Sequence, residues 1–334
     1  MKDSPVSTRP SDRVRMPSAV TPELLAKLSG LGVKAKTIVE GFVAGLHRSP
    51  HHGFSVEFAE HREYTPGDDL RYVDWKVFAK SDRFFLKQFE EETNFACHVL
   101  LDVSESMRYQ SELASVPKLE YAVYLAAALG YLLLKQQDGV GLFTFDEALR
   151  ERLPPSSQSS HLEQFLAVLE RQQPQRAVTI EELLSGKSQE ERESESIADV
   201  LRQVAQHIRR RGMVVLISDL FDDPEEILRT LKRFKHQQHD VIVIQVIDRA
   251  EEDFPFEDPT LFHGLEGTGD RQLEPRALRQ AYQHEFQTAQ RRLERGIHDL
   301  SMTFQCARTD EPLDSVLWRV LKRRKDARNS TLRG

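Results

Sequence analysis

Residues 98–107 read "HVLLDVSESM", an apolar run that breaks at Asp102 into a D-x-S-x-S series made of Asp102, Ser104 and Ser106. A continuous apolar run of this kind fits a strand buried on both faces, the habit of parallel sheets. In open α/β sheets functional groups gather at the carboxyl edge of the strands, where loops begin. A second apolar run, "VVLIS", ends the same way in Asp219, within "SDLFDD".

The rhythm on either side of these runs predicts the architecture. A helix is expected at about 117–137, a strand "GVGLFTF" at 139–145 with a hairpin partner "ALRERL", and a helix "HLEQFLAVLERQ". A polar loop at 173–194, a helix at 196–211 and the strand "MVVLIS" at 213–218 come next. The last third adds a helix at 223–236, the strand "DVIVIQVI" at 240–247, an irregular stretch to about 274, a helix to about 296, the strand "SMTFQCA" and a short final helix. Apolar strands alternating with helices predict an α/β fold with a doubly wound, mostly parallel sheet. Asp222 and Asp223 are expected to cap the helix that Pro224 opens.

Upstream, residues 21–47 show two short helical patterns split by "SGLG", and 53–93 show short alternating runs around the turn "TPGDD", expected to form a small antiparallel β insertion. The chain therefore divides into a disordered leader (1–20), N-terminal helices (21–48), an antiparallel β segment (49–96), the α/β domain (97–325) and a frayed basic tail (326–334).

Composition narrows the functional class. The 334 residues are 30% charged with a net charge of −7, which provides no global attraction to nucleic acid. The two cysteines, Cys97 and Cys306, lie far apart and outside metal-ligand spacing, which argues against a disulfide scaffold and fits a reducing compartment. The N-terminus lacks the apolar core of a signal peptide, and "YAVYLAAALGYLLL" at 121–134 is too short to span a bilayer. The expectation is a cytoplasmic protein with no integral membrane segment and no nucleic-acid partner.

Carboxylate and hydroxyl oxygens at two strand ends suit a hard divalent cation, Mg²⁺ or alternatively Mn²⁺, and no His or Cys pair nearby suggests Zn²⁺. The competing reading is helix capping, since Asp and Ser after a strand are common N-caps. Asp219 on a second strand end favours a site.

At these positions the sequence resembles the von Willebrand factor type A domain, whose metal-ion-dependent adhesion site begins with D-x-S-x-S and later takes an Asp from a middle strand. The resemblance assigns metal-binding roles to Asp102, Ser104, Ser106 and Asp219. It also calls for a Thr six residues before a Leu. Counting back from Leu201, that position holds Glu195, flanked by Ser194 and Ser196. Either Glu195 binds the metal directly, or a flanking Ser such as Ser196 replaces the Thr, or the site is weakened or lost.

A second resemblance lies in R-E-Y-x-P-G-D-D-x-R-x-x-D-W, formed by Arg62, Glu63, Tyr64, Pro66, Gly67, Asp68, Asp69, Arg71, Asp74 and Trp75. With the D-x-S-x-S-M that follows, the later "LEG" and the helix containing "AYQHEF", the chain looks like a member of the domain of unknown function 58 family, a bacterial group with a type A domain at its core. Physically, the Pro-Gly-Asp turn and the ion pairs open to Arg62, Glu63, Arg71 and Asp74 can pin the β segment to the core or form a partner-docking surface. The family resemblance implies a MoxR-type AAA+ ATPase as partner, in protein-complex maturation or stress response.

Other motifs carry less. "LLSGKSQEE" has Glu181 where a P-loop needs its first Gly, His47, His51 and His52 lack companion ligands, and no G-x-S-x-G occurs. The expected function is thus a non-enzymatic adaptor that uses a metal to recruit a partner's carboxylate. The alternatives are a Mg²⁺-dependent phosphohydrolase built on Asp102, or a scaffold with a vestigial metal site that binds through its β segment.

Overall fold

The computed structural model describes residues 20–26, 28–46, 61–63, 85–87, 96–172, 196–255, 260–263, 270–273 and 275–331. Two helices open the described chain, α1 (Pro22–Ala26) and α2 (Leu31–Leu46), followed by the strands β1 (His61–Glu63) and β2 (Phe85–Lys87), which pair antiparallel. The main body then runs β3 (Ala96–Asp102), α3 (Lys118–Lys135), β4 (Gly139–Phe145), β5 (Leu149–Ser156), α4 (His161–Gln172), α5 (Ile197–His207), β6 (Met213–Ser218), α6 (Pro224–His236) and β7 (Asp240–Ile247). It ends with α7 (Arg249–Asp253), a hairpin of β8 (Thr260–His263) and β9 (Asp270–Leu273), α8 (Pro275–Asp299), β10 (Thr303–Arg308) and α9 (Leu313–Thr331).

Six strands form one sheet in the order β10-β7-β6-β3-β4-β5, parallel except where β5 turns back on β4. The chain lays β3, β4 and β5 outward in one direction and then returns to place β6, β7 and β10 on the other side. The strand order therefore reverses between β3 and β6, and at such a switch point the flanking loops part and leave a crevice at the carboxyl edge.

Alternate residues of each strand feed two cores. Val99, Leu101, Val215 and Ile217 face α2, α3 and α9, whereas Leu100, Val214, Leu216 and Phe304 face α5, α6 and α8. Full burial of each such side chain stabilises the fold by about 1.5–3 kcal/mol. The helix α3 is buried nearly all round, between the sheet on one side and α2, α4 and α9 on the others. Its small residues permit this: a Cβ at Gly130 would lie 2.5 Å from the Phe165 ring of α4. At the β5 edge, Pro154 and Pro155 remove backbone donors that could template further pairing.

Several expectations need correction. The helix expected to reach residue 211 ends at His207, because the chain must straighten to pass close to β3. A Cβ at Gly212 would meet the Ala96 carbonyl oxygen at 2.3 Å. The stretch read as irregular up to 274 contains α7 and the β8–β9 hairpin. The final helix is 19 residues long and carries the supposed basic tail as far as Thr331, since nothing in "RRKDARNST" interrupts a helix. Val20, placed at the end of the leader, is buried and hydrogen-bonded to α9.

Candidate functional site

Asp102 closes β3 with no solvent exposure. Pairing of Leu101 with Ile217 brings the ends of β3 and β6 to the same level, so Ser218 lies beside Asp102 and Asp219 follows. The Ser218 hydroxyl donates to Asp102 Oδ2 at 2.6 Å, and the Ser104 N–H donates to Asp102 Oδ1 at 2.9 Å. Beyond Ser104 the backbone curls into a 3₁₀ turn at Ser106–Arg108, which folds the Ser106 hydroxyl back to 3.1 Å from that of Ser104. The carboxylate and the two hydroxyls of the D-x-S-x-S series are thus gathered and buried together. Burial, then the neighbouring Asp219 charge, push the Asp102 carboxyl up to about 7.

Asp219 is also buried, with Oδ1 accepting the Phe221 N–H at 3.2 Å and its own carbonyl accepting from Gln245 at 3.1 Å. Between these bonds Leu220 takes a left-handed φ of +56°, and Phe221 emerges 72% exposed at the rim. Asp219 Oδ2 receives a hydrogen bond of 2.9 Å from Lys118 Nζ, which also donates to Glu251 Oε1 at 2.6 Å. Burial alone would lower the Lys118 pKa, yet the Asp219 and Glu251 carboxylates outweigh it and hold it above its ordinary value. Glu251 moves up through burial, opposed by Lys118.

A third strand also ends in a buried aspartate. Asp248 follows β7 and accepts from Ala250 N at 2.8 Å, Ser111 N at 2.9 Å and Ser111 Oγ at 2.6 Å. Its N–H donates to Glu251 Oε2, closing a capping box on α7. Ser111 belongs to the loop after the 3₁₀ turn, so Asp248 ties the loop across the top of the sheet to β7. Asp102, Asp219 and Asp248 therefore stand at the ends of three successive strands.

The donor set fits a hard cation. Asp102 is a buried carboxylate whose hydrogen-bond partners among the described residues are all neutral donors, with two serine hydroxyls gathered in the same loop. A cation there would relieve the charge that burial penalises. Among the described residues no three of His, Cys, Asp and Glu converge as a ligand group, so such a cation would depend on the serine oxygens. Asp219 is partly committed to Lys118, which leaves Oδ1 as its freer oxygen.

The structure thus brings Asp102, Ser104 and Ser106 together and sets Asp219 on the adjoining strand end. Ser196 does something else: it caps α5, accepting the Asp199 N–H at 3.3 Å and donating to Asp199 Oδ2 at 2.9 Å. Glu195 lies outside the described residues. Of the charged β segment, Arg62 and Glu63 lie in β1, paired with Leu86 and Phe85. Tyr64, Asp68, Asp69, Arg71, Asp74 and Trp75 lie outside the described residues, as do "LLSGKSQEE" and His47, His51 and His52. Asp223 caps α6 as expected, accepting the Glu225 N–H at 3.0 Å.

Sequence reasoning did not single out Ser218, Lys118, Asp248, Glu251 or Ser111. Asp248 carried the same signal as the other two, an aspartate directly after an apolar strand. Lys118 left a subtler one, a cation at the first residue of a helix, where the macrodipole disfavours positive charge.

The strand order, the single antiparallel edge strand and the D-x-S-x-S loop at the switch point define a von Willebrand factor type A-like fold. Within that class, residues 60–292 match the family described as protein of unknown function DUF58, and the chain belongs to that family. Uncharacterized proteins of Mycobacterium tuberculosis and Mycobacterium bovis are 28% identical over 234 residues, covering 70% of this chain and 68% of theirs. Among solved structures, the conserved hypothetical protein BatB from Bacteroides thetaiotaomicron is 14% identical, with a TM-score of 0.41 over 70% of this chain and 99% of that one. The SpRpn10 VWA domain is 13% identical, with a TM-score of 0.35 over 67% and 93%. No described helix is long and apolar enough to cross a membrane.

Proposed function

We propose that the chain is a non-enzymatic protein-binding module in which Asp102, Ser104, Ser106 and Asp219 hold Mg²⁺ or Mn²⁺ and present it to a carboxylate of a partner protein. The observation that carries this reading is Asp102, a buried carboxylate held among the described residues by neutral donors alone, beside two converging hydroxyls at the sheet's switch point. A bound divalent cation would supply an electrophilic centre for an anionic oxygen. The chain's own part is orientation: Ser218 and the Ser104 N–H fix both Asp102 oxygens, and Lys118 fixes one oxygen of Asp219. The family resemblance implies a MoxR-type AAA+ ATPase as the partner, and the sparse, widely separated cysteines suit a reducing, cytoplasmic setting.

Affinity capture from native cell extract, run in parallel with Mg²⁺ and with EDTA, tests this. An AAA+ ATPase retained only with Mg²⁺, and lost in Ser104→Ala/Ser106→Ala, supports the reading. Retention of the same partner under both conditions refutes metal-mediated recruitment and moves the interaction to the β segment around Arg62–Trp75.

One observation favours a second reading, a scaffold with a vestigial metal site. Lys118 already places a cation on Asp219. Under that reading calorimetric titration with Mn²⁺ gives no saturable binding.

A further inference from the structure

Lys118 is a costly residue to have where it is. Its side chain is 1% exposed, and it stands at the first residue of α3, against the positive end of the helix dipole. Two carboxylates, Asp219 just past β6 at 2.9 Å and Glu251 on α7 at 2.6 Å, are needed to hold it. A neutral donor could have satisfied the outer oxygen of Asp219, as Ser218 does for Asp102. The distinctive property of Lys118 is charge.

From this we infer that Lys118 sets the site's preference for an anionic partner group, by removing one unit of the negative charge that a bound divalent cation meets. The inference rests on the proposed reading of Asp102, Ser104, Ser106 and Asp219 as cation ligands. With Lys118 in place, Asp219 Oδ2 is engaged by the ammonium and its electron density is drawn away from the cation. The cation is then held less tightly but stays electron-poor, and it gains more from a partner's carboxylate. Lys118 itself is too deeply buried to touch that partner. It is a positioning residue that acts through Asp219.

This arrangement makes cation affinity and carboxylate affinity move in opposite directions. Replacing Lys118 with Met adds a unit of uncompensated negative charge, so Mn²⁺ should bind more tightly and acetate should bind the loaded site more weakly. Replacing Glu251 with Gln leaves Lys118 wholly to Asp219 and removes a unit of negative charge, so Mn²⁺ should bind more weakly and acetate more tightly. Each change is expected on the order of tenfold, the scale on which one unit of nearby charge acts in a partly buried site.

The test uses the full chain as wild type, Lys118→Met and Glu251→Gln. Mn²⁺ affinity is read by calorimetry, and acetate binding to the Mn²⁺-loaded protein by the loss of bound-water proton relaxation. Lys118→Met strips a buried cation from two carboxylates and can fail to fold. Glu251→Gln alters a side chain that is 23% exposed and keeps the experiment decisive by itself. Weaker Mn²⁺ and tighter acetate binding in Glu251→Gln support the inference, and the reverse pair of shifts in that variant overturns it. Wild type that binds Mn²⁺, with variants in which both affinities fall together or neither moves, overturns it and leaves the cation site standing. Wild type with no saturable Mn²⁺ binding overturns the cation site and the inference with it.

Discussion

His98 should make this fold acid-sensitive. It lies on β3, 7% exposed, with its Nδ1 buried and without a hydrogen-bond partner among the described residues, and its ring centroid is 5.9 Å from that of Phe143. Burial, followed by the His239 and Arg152 charges, lowers its pKa from 6.5 to about 4. Because the folded value lies below the unfolded one, folding favours the neutral ring. The stabilisation is complete above pH 6.5 and is lost as pH falls through the window between 6.5 and about 4. Linkage between these two values amounts to about 2.5 kcal/mol lost between pH 7.5 and pH 4.5. The assay is urea unfolding at both pH values for wild type and for His98→Asn, which cannot titrate. Differencing the two proteins cancels both the packing cost of the substitution and the titration of groups common to them. Wild type should lose about 2.5 kcal/mol more than the variant over this interval. Equal losses, within about 0.5 kcal/mol, would refute the claim that His98 is held neutral by burial.

Two further outcomes are expected. In EDTA, Asp102→Asn should unfold at a higher temperature than wild type, by on the order of 2 kcal/mol in stability, because it removes a buried charge that has no cation. Adding Mn²⁺ should raise the wild-type midpoint and leave the variant unchanged, as read by calorimetric scans. Gly130→Ala should cost about 1–3 kcal/mol in urea unfolding, because its new methyl group would lie 2.5 Å from the Phe165 ring and force α3 and α4 apart.

The parts of the fold visible in the sequence were those whose physics is local. The buried strands β3, β6 and β7 announce themselves as apolar runs, and the strand–helix alternation follows from that pattern. The D-x-S-x-S series was legible for the same reason, since three residues at fixed spacing share one tight turn. Lys118 was not, because its burial depends on carboxylates 101 and 133 residues away in the chain. Asp248 could have been found by applying the strand-end rule a third time. The β8–β9 hairpin escaped because four-residue strands are too short to show alternation. The extent of α9 is hard to read because a dense run of charges near a chain end resembles a frayed tail, although Lys and Arg are good helix formers.

The two ends of the described chain are fastened to each other. The Val20 N–H donates to Asp314 Oδ1, the Leu313 N–H donates to the Val20 carbonyl at 3.1 Å, and α1 and α2 share a core with α9. During synthesis the N-terminal helices therefore emerge from the ribosome with part of their packing surface still unmade. Contacts spanning 294 residues close only when α9 has been translated. Pairings this distant are slow to form and leave apolar surface uncovered in the meantime. Until then Leu25, Ile38 and Phe42 are candidates for chaperone attention, and a nascent chain halted before residue 313 should be more sensitive to protease than the released protein.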